Sequence, residues 1–179
     1  MQGGPRIKHI DDVPWEEMLR FRLRDGRIAS IWEKWIELSP RYVAFYNKWD
    51  PGAMSANHGH HGDHINLILQ GEIRSGDIVC RPGSHIMLEY GDVFGPWVAG
   101  PEGCTLYGFV AGEGSSFPGD QQIWRDFLAA QGAESLPVPR PKRLSPWWAA
   151  RTPPAIVNWI DAENDVGAPS PPGLEYPPA

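Results

Sequence analysis

The chain has 179 residues, a formal net charge of -6 and a sequence pI of about 5.5. That length allows one domain with its own core, and the acidic balance argues against nucleic acid as the main partner, because phosphate binding needs basic surface. With 41% hydrophobic and 21% charged residues and no apolar stretch near the roughly 18 residues of a membrane span, the composition is that of a soluble protein with no membrane partner.

The N-terminal Met-Gln-Gly-Gly-Pro-Arg has no apolar signal core. Cys80 and Cys104 are the only cysteines, too few for a disulfide framework, so they are expected as buried small hydrophobes in a cytoplasmic protein. Asp12 as a cap, Pro14 in the first turn and Glu16 and Glu17 near the positive end predict a short N-terminal helix. It gives way to alternation over Phe21 to Arg24 and a turn at Asp25-Gly26. Ile28 to Leu38 reads as strand, and Tyr42 to Trp49, with aromatics on both parities, as a strand buried on both sides. Short strands come next over Ile65 to Leu69, Glu72 to Cys80, His85 to Glu89, Val93 to Val98 and Cys104 to Ala111. Gly and Pro turns and an Ala99 to Gly103 loop separate them. Many short strands at about ten-residue spacing predict an all-β barrel or sandwich.

Asp120 caps the clearest helix, Ile123, Trp124, Phe127 and Leu128 form its apolar stripe, and Gly132 ends it. Pro137 to Ala179 holds eleven of the nineteen prolines yet carries Trp147, Trp148 and Trp159. It is expected as an extended arm on the barrel or on a second subunit, with a short helical turn at Ala155 to Asp161. The resulting division is an N-terminal extension (1–27), a barrel (28–112), a helix packed on the barrel (113–136) and a Pro-rich C-terminal arm (137–179).

Four of the six histidines fall between positions 58 and 64. His58 and His60 are a His-x-His pair, which on a strand sends both rings to one face. His64 opens the next strand after a Gly-Asp turn and returns beside them. Three neutral imidazoles with open positions suit one divalent transition metal: Fe(II), Ni(II), Cu(II), Mn(II) or Zn(II). His61 is expected to point the other way. Asn66 shares parity with His64, and Asp63 is a candidate to orient a histidine. Glu89, on one face with His85, is a candidate ligand or general base if that face looks inward. Tyr107 and Tyr46 are candidate donors to a substrate. A neutral triad leaves the metal its full charge and favours an anionic or enolisable small-molecule substrate.

The stretch Gly52-x5-His58-x-His60-x3-His64-x6-Gly71 resembles the first motif of the cupin superfamily, with His64 where the family has Glu. The resemblance implies a single-domain double-stranded β-helix, or jelly-roll barrel, holding one metal ion, and a homodimer. The family's second motif is reduced here to Gly91-Asp-Val-Phe-Gly-Pro96-Trp-Val-Ala-Gly100-Pro101, without a histidine; Pro101 stands roughly where one is expected. That departure from the family pattern implies a three-histidine site of His58, His60 and His64, with Glu89 the candidate for any further ligand. Residues 81–92 and Val13-Pro-Trp15 resemble the cupin group that contains 2,4'-dihydroxyacetophenone dioxygenase and the ChrR cupin domain. That resemblance implies a non-haem Fe(II) dioxygenase acting on a small enolisable or aromatic hydroxyketone. The alternatives are a non-redox lyase, isomerase or hydrolase using the metal as Lewis acid, and a metal- or ligand-binding sensor.

Overall fold

The computed structural model describes residues 7–39, 41–112 and 114–138. They form β1 (Glu16–Arg22), β2 (Ile28–Ser39), β3 (Tyr42–Trp49), β4 (Met54–Ser55), β5 (His58–His60), β6 (His64–Ser75) and β7 (Ile78–Cys80). Then come β8 (His85–Leu88), β9 (Val93–Phe94), β10 (Trp97–Ala111), β11 (Ser116–Pro118), α1 (Gln121–Gln131) and β12 (Glu134–Leu136). The larger sheet runs β12-β1-β2-β3-β10-β6-β7, with β8 also on β6 and β4 on β10; the smaller runs β11-β5-β9. Each described pairing is antiparallel.

Period-two alternation sorts the side chains of the larger sheet onto two faces. One inner row reads Glu33, Asn47, Leu106 and Ile68 across β2, β3, β10 and β6. The next reads Trp35, Phe45, Gly108, Asn66 and Ile86. A third reads Val43, Val110, His64 and Leu88. The main core, including Ile31, Phe45, Ile68, Leu106 and Val110, lies on this inner side. Gly108 is small because a side chain there would collide with the Phe45 ring and lie 2.7 Å from Asn66 Oδ1.

A second apolar cluster joins α1 to the sheet. Asp120 caps α1 by accepting from Gln122 N at 2.7 Å, and Gly132 ends it in the left-handed region at φ 64°. Buried Trp124 meets Phe21 edge-on at 6.0 Å and stacks on Phe127 at 5.9 Å. Full burial of a side chain such as Phe21 stabilises by about 1.5–3 kcal/mol.

The expected N-terminal helix is not formed. Only Ile10–Asp12 makes a 3-10 turn, and Glu16–Arg22 joins the sheet instead. Arg20 to Arg22 pair with β12 on one side, and Glu16 to Arg22 pair with β2 on the other. A helix cap is worth about 1 kcal/mol, which two flanking ladders and a buried Phe21 exceed. The sheet thus takes in residues on both sides of 28–112. The Ala99 to Gly103 loop is likewise absorbed into β10, where the register against β6 jumps from Ala99↔Ile73 to Cys104↔Gly71. Cys80 and Cys104 are both buried and free, as expected. From residue 139 the Pro-rich region, where the extended arm and a helical turn at 155–161 are expected, lies outside the described residues. No described helix is long and apolar enough to cross a membrane.

Candidate metal centre

β5 sits between β11 and β9, with His58 opposite Phe94 and Pro118, and His60 opposite Ser116. Gly59 between the histidines has no room for a side chain: one would strike the Phe117 ring and lie 2.5 Å from Asp92 O. The outer face of β5 is therefore closed and both imidazoles go inward. Gly62 fits the turn to β6 because a Cβ there would collide with Ala111 O. That turn brings His64 back beside the pair. Ring centres lie 5.1 Å apart for His58 and His60 and 4.5 Å apart for His60 and His64. Phe94, at 4.5, 6.2 and 5.4 Å from the three rings in chain order, packs against all of them.

The three rings line a cavity of about 80 Å³ whose walls are otherwise mainly apolar, with Ile31, Phe45, Trp49, Ile86 and Trp97 among them. Glu33, Asn47 and Asn66 are the main polar groups that share it. At about 10–15 Å³ per water-sized group, it holds roughly five to eight such groups.

His60 and His64 are 6% and 5% exposed, and none of their four ring nitrogens has a hydrogen-bond partner. Burial, followed by the neighbouring imidazoles, holds His60 well below the usual histidine range. Burial, followed by the charge of His58, pushes His64 down to about 3, with Asn66 working the other way. Both are neutral at ordinary pH, which is the ligating form. His58 donates from Nδ1 to Ala56 O at 2.9 Å, leaving the Nε2 lone pair available.

The donor set fits a divalent metal by its chemistry. A metal bonded at about 2.1 Å to two ring nitrogens sets the ring centres about 4.6–5.3 Å apart, a range that the 5.1 Å of His58 and His60 meets and the 4.5 Å of His60 and His64 approaches. Among the described residues, however, no three His, Cys, Asp or Glu side chains have their ligand atoms already gathered as a metal site. Imidazoles turn about χ2, a broad torsion, and that is the freedom by which a bound metal would gather the ring nitrogens.

Other residues singled out by sequence fall elsewhere. Glu89 is exposed at the end of β8, beyond outward-facing His85 and Met87, while Ile86 of the opposite parity lines the cavity. Tyr107 is 40% exposed on the outer face of β10, opposite Tyr46 and Leu67. Neither reaches the cavity, and Tyr46 instead packs against Trp15 at 5.7 Å. Asp63 accepts from Tyr90 N at 3.0 Å rather than orienting a histidine. His61 lies against Phe117 and Tyr90, away from the triad, as expected. Asn66 lines the cavity. Sequence reasoning missed Phe94, Glu33 and Asn47. For Glu33 and Asn47 the signal was parity: Glu33 shares a face with Ile31 and Trp35, and Asn47 with Phe45 and Trp49.

No family model matches the chain, and no curated protein matches it. Solved structures do. A candidate acetylacetone dioxygenase from Methylibium petroleiphilum PM1 is similar at 13% identity and a TM-score of 0.52, covering 73% of this chain and 98% of that one. An acetylacetone dioxygenase from Acinetobacter johnsonii aligns at 16% identity and TM-score 0.48, over 62% and 76% of the two chains. An RmlC-like cupin from Shewanella frigidimarina NCIMB 400 aligns at 14% identity and TM-score 0.46, over 69% and 99%. At 13% identity the likeness to the first of these speaks for the fold alone. Antiparallel strands wound around an inward-facing histidine cluster on the Gly52 to Gly71 motif give this chain the fold of the cupin superfamily, the double-stranded β-helix.

Proposed function

We propose that the chain is a mononuclear metal-dependent cupin enzyme whose metal is held by His58, His60 and His64. The observation that carries this reading is the pair of buried, neutral imidazoles with no partner for any ring nitrogen, at the wall of an apolar cavity. Buried polar atoms are rarely left so without a ligand to receive them. A divalent transition metal there supplies a Lewis acid and, if it is iron, a redox centre with open coordination positions. The reaction we favour is an Fe(II)-dependent dioxygenation of a small enolisable ketone or hydroxyketone.

The chain's own residues support that chemistry in three ways. The apolar walls, with Phe94 against the rings, exclude bulk water and strengthen electrostatic contacts inside. The small volume selects a compact ligand. The three proposed ligands are imidazoles rather than carboxylates, so they leave the metal its full charge for an enolate, and the Glu33 carboxylate that shares the cavity is engaged by Asn47 Nδ2 at 2.7 Å.

The test is elemental analysis of protein purified without added metal, followed by oxygen uptake with acetylacetone after iron loading. Near one metal per chain is expected, lost in the His58→Ala, His60→Ala double variant. Equal metal content in wild type and double variant overturns the triad. A full complement of zinc or nickel with no oxygen uptake transfers the reading to non-redox Lewis-acid chemistry.

A further inference from the structure

The cavity wall carries a second polar locus, built from strands that hold none of the histidines. Glu33 on β2 lies opposite Glu16 on β1 and opposite Asn47 on β3. Asn47 is 5% exposed and donates from Nδ2 to Glu33 Oε1 at 2.7 Å. A carboxylate only accepts, so this bond fixes the amide: nitrogen toward Glu33, oxygen away from it. Asn47 Oδ1 is then a buried acceptor, and it has no partner. Two residues along the same face, Trp49 is 8% exposed, and its indole Nε1–H is a buried donor with no partner. Trp97, which also lines the cavity, carries another such donor. Glu33, Asn47, Trp49 and Trp97 line the same cavity as the triad. Glu16, half-buried behind Glu33, has a carboxyl raised above its usual range chiefly by burial.

A lone acceptor and lone donors on the lining of one cavity are what a hydroxyl satisfies, because it gives one hydrogen bond and accepts others. A ketone or an alkyl group offers no donor to the amide oxygen. We propose that Asn47 and Trp49 form a hydroxyl-recognition site on the cavity wall, with Glu33 as the positioning residue that aims the Asn47 oxygen. The ligand's O–H donates to Asn47 Oδ1 and its oxygen accepts from the Trp49 indole. This rests on the cavity being the ligand site, and it narrows the substrate to a small hydroxy-carbonyl compound, its carbonyl toward the imidazoles and its hydroxyl toward Asn47. It does not rest on the metal.

The experiment compares hydroxyacetone with butanone, which replaces the hydroxyl by a methyl group at equal heavy-atom count. Binding to the full chain is followed by NMR titration, once in metal-stripped and once in metal-loaded protein. Wild type should prefer hydroxyacetone by about tenfold, the order of one net hydrogen bond to a buried site. Asn47→Leu should bring the two ligands to equal affinity. Glu33→Leu should do the same, since the amide is no longer aimed. Glu33→Gln, which keeps an oxygen to accept from Asn47, should restore the preference; a merely structural glutamate would show no such pattern. Should the Leu variants fail to fold, wild type alone decides. The Asn47 side-chain amide and Trp49 indole resonances should move with hydroxyacetone and stay with butanone. Equal affinities in wild type, or no movement of these resonances, overturns the proposal and leaves the locus served by water only. A preference present in protein that binds no metal removes the metal reading and leaves this one standing.

Discussion

Buried neutral histidines make the metal-stripped protein sensitive to mild acid. In the unfolded chain His64 takes up a proton near pH 6.5, whereas in the folded protein burial delays this to about 3. The folded pKa is depressed, so the neutral form is the folded form. The associated stability is complete above about pH 6.5 and drains away as the pH falls from there toward 3. At 1.36 kcal/mol per unit, His64 alone costs the fold about 2 kcal/mol by pH 5. His60 shifts in the same direction and adds to the loss. The assay is urea unfolding after dialysis against EDTA, at pH 7.5, 6 and 5, read by tryptophan fluorescence. With a urea slope of about 2 kcal/mol/M, the midpoint should fall by about 1 M from His64 alone. His64→Leu, which removes the titrating ring, should lose about that much less over the same range. Metal-loaded protein should hold its midpoint at pH 7.5 and fall more steeply in acid, where protons compete for the same nitrogens. The same pH dependence in metal-stripped wild type and His64→Leu would show that the ring is not held neutral by burial, and the argument would fail.

The packing sets further outcomes. Asp120→Ala removes the oxygen that accepts from Gln122 N and should cost about 1 kcal/mol, read as a lower urea midpoint with metal content unchanged. Gly108→Ala drives a methyl into the Phe45 ring and against Asn66 in the cavity wall. It should destabilise by about 1–3 kcal/mol and weaken hydroxyacetone binding; wild-type stability in this variant would mean the wall is looser than described. Glu89→Gln and Tyr107→Phe, both on the outer face, should leave metal content and ligand binding unaltered, and a loss in either would return that residue to the site.

Much of the architecture was legible without tertiary information because it is set by local rules. The spans of β2 and β3, the Asp120 and Gly132 ends of α1, and the return of His64 beside the pair come from alternation, capping chemistry and turn glycines. The same rules stop at a definite point. A period of two tells which residues share a face and is silent on which face is buried. Glu89 was rightly placed with His85, and Tyr107 on a barrel strand. The closure of the sheet then turned Ile86 and Leu106 inward and left those two outside. The stretch from Asp12 to Glu17 carries every local sign of a helix start, yet pairing with β2 and β12 made a strand of Glu16–Arg22, since ladder bonds and burial outweigh a cap. Glu33 and Asn47 look in sequence like polar interruptions of two apolar strands. Only strand register set them side by side at the cavity, because a cross-strand contact depends on which residue of another strand stands opposite, and neither strand alone contains that information.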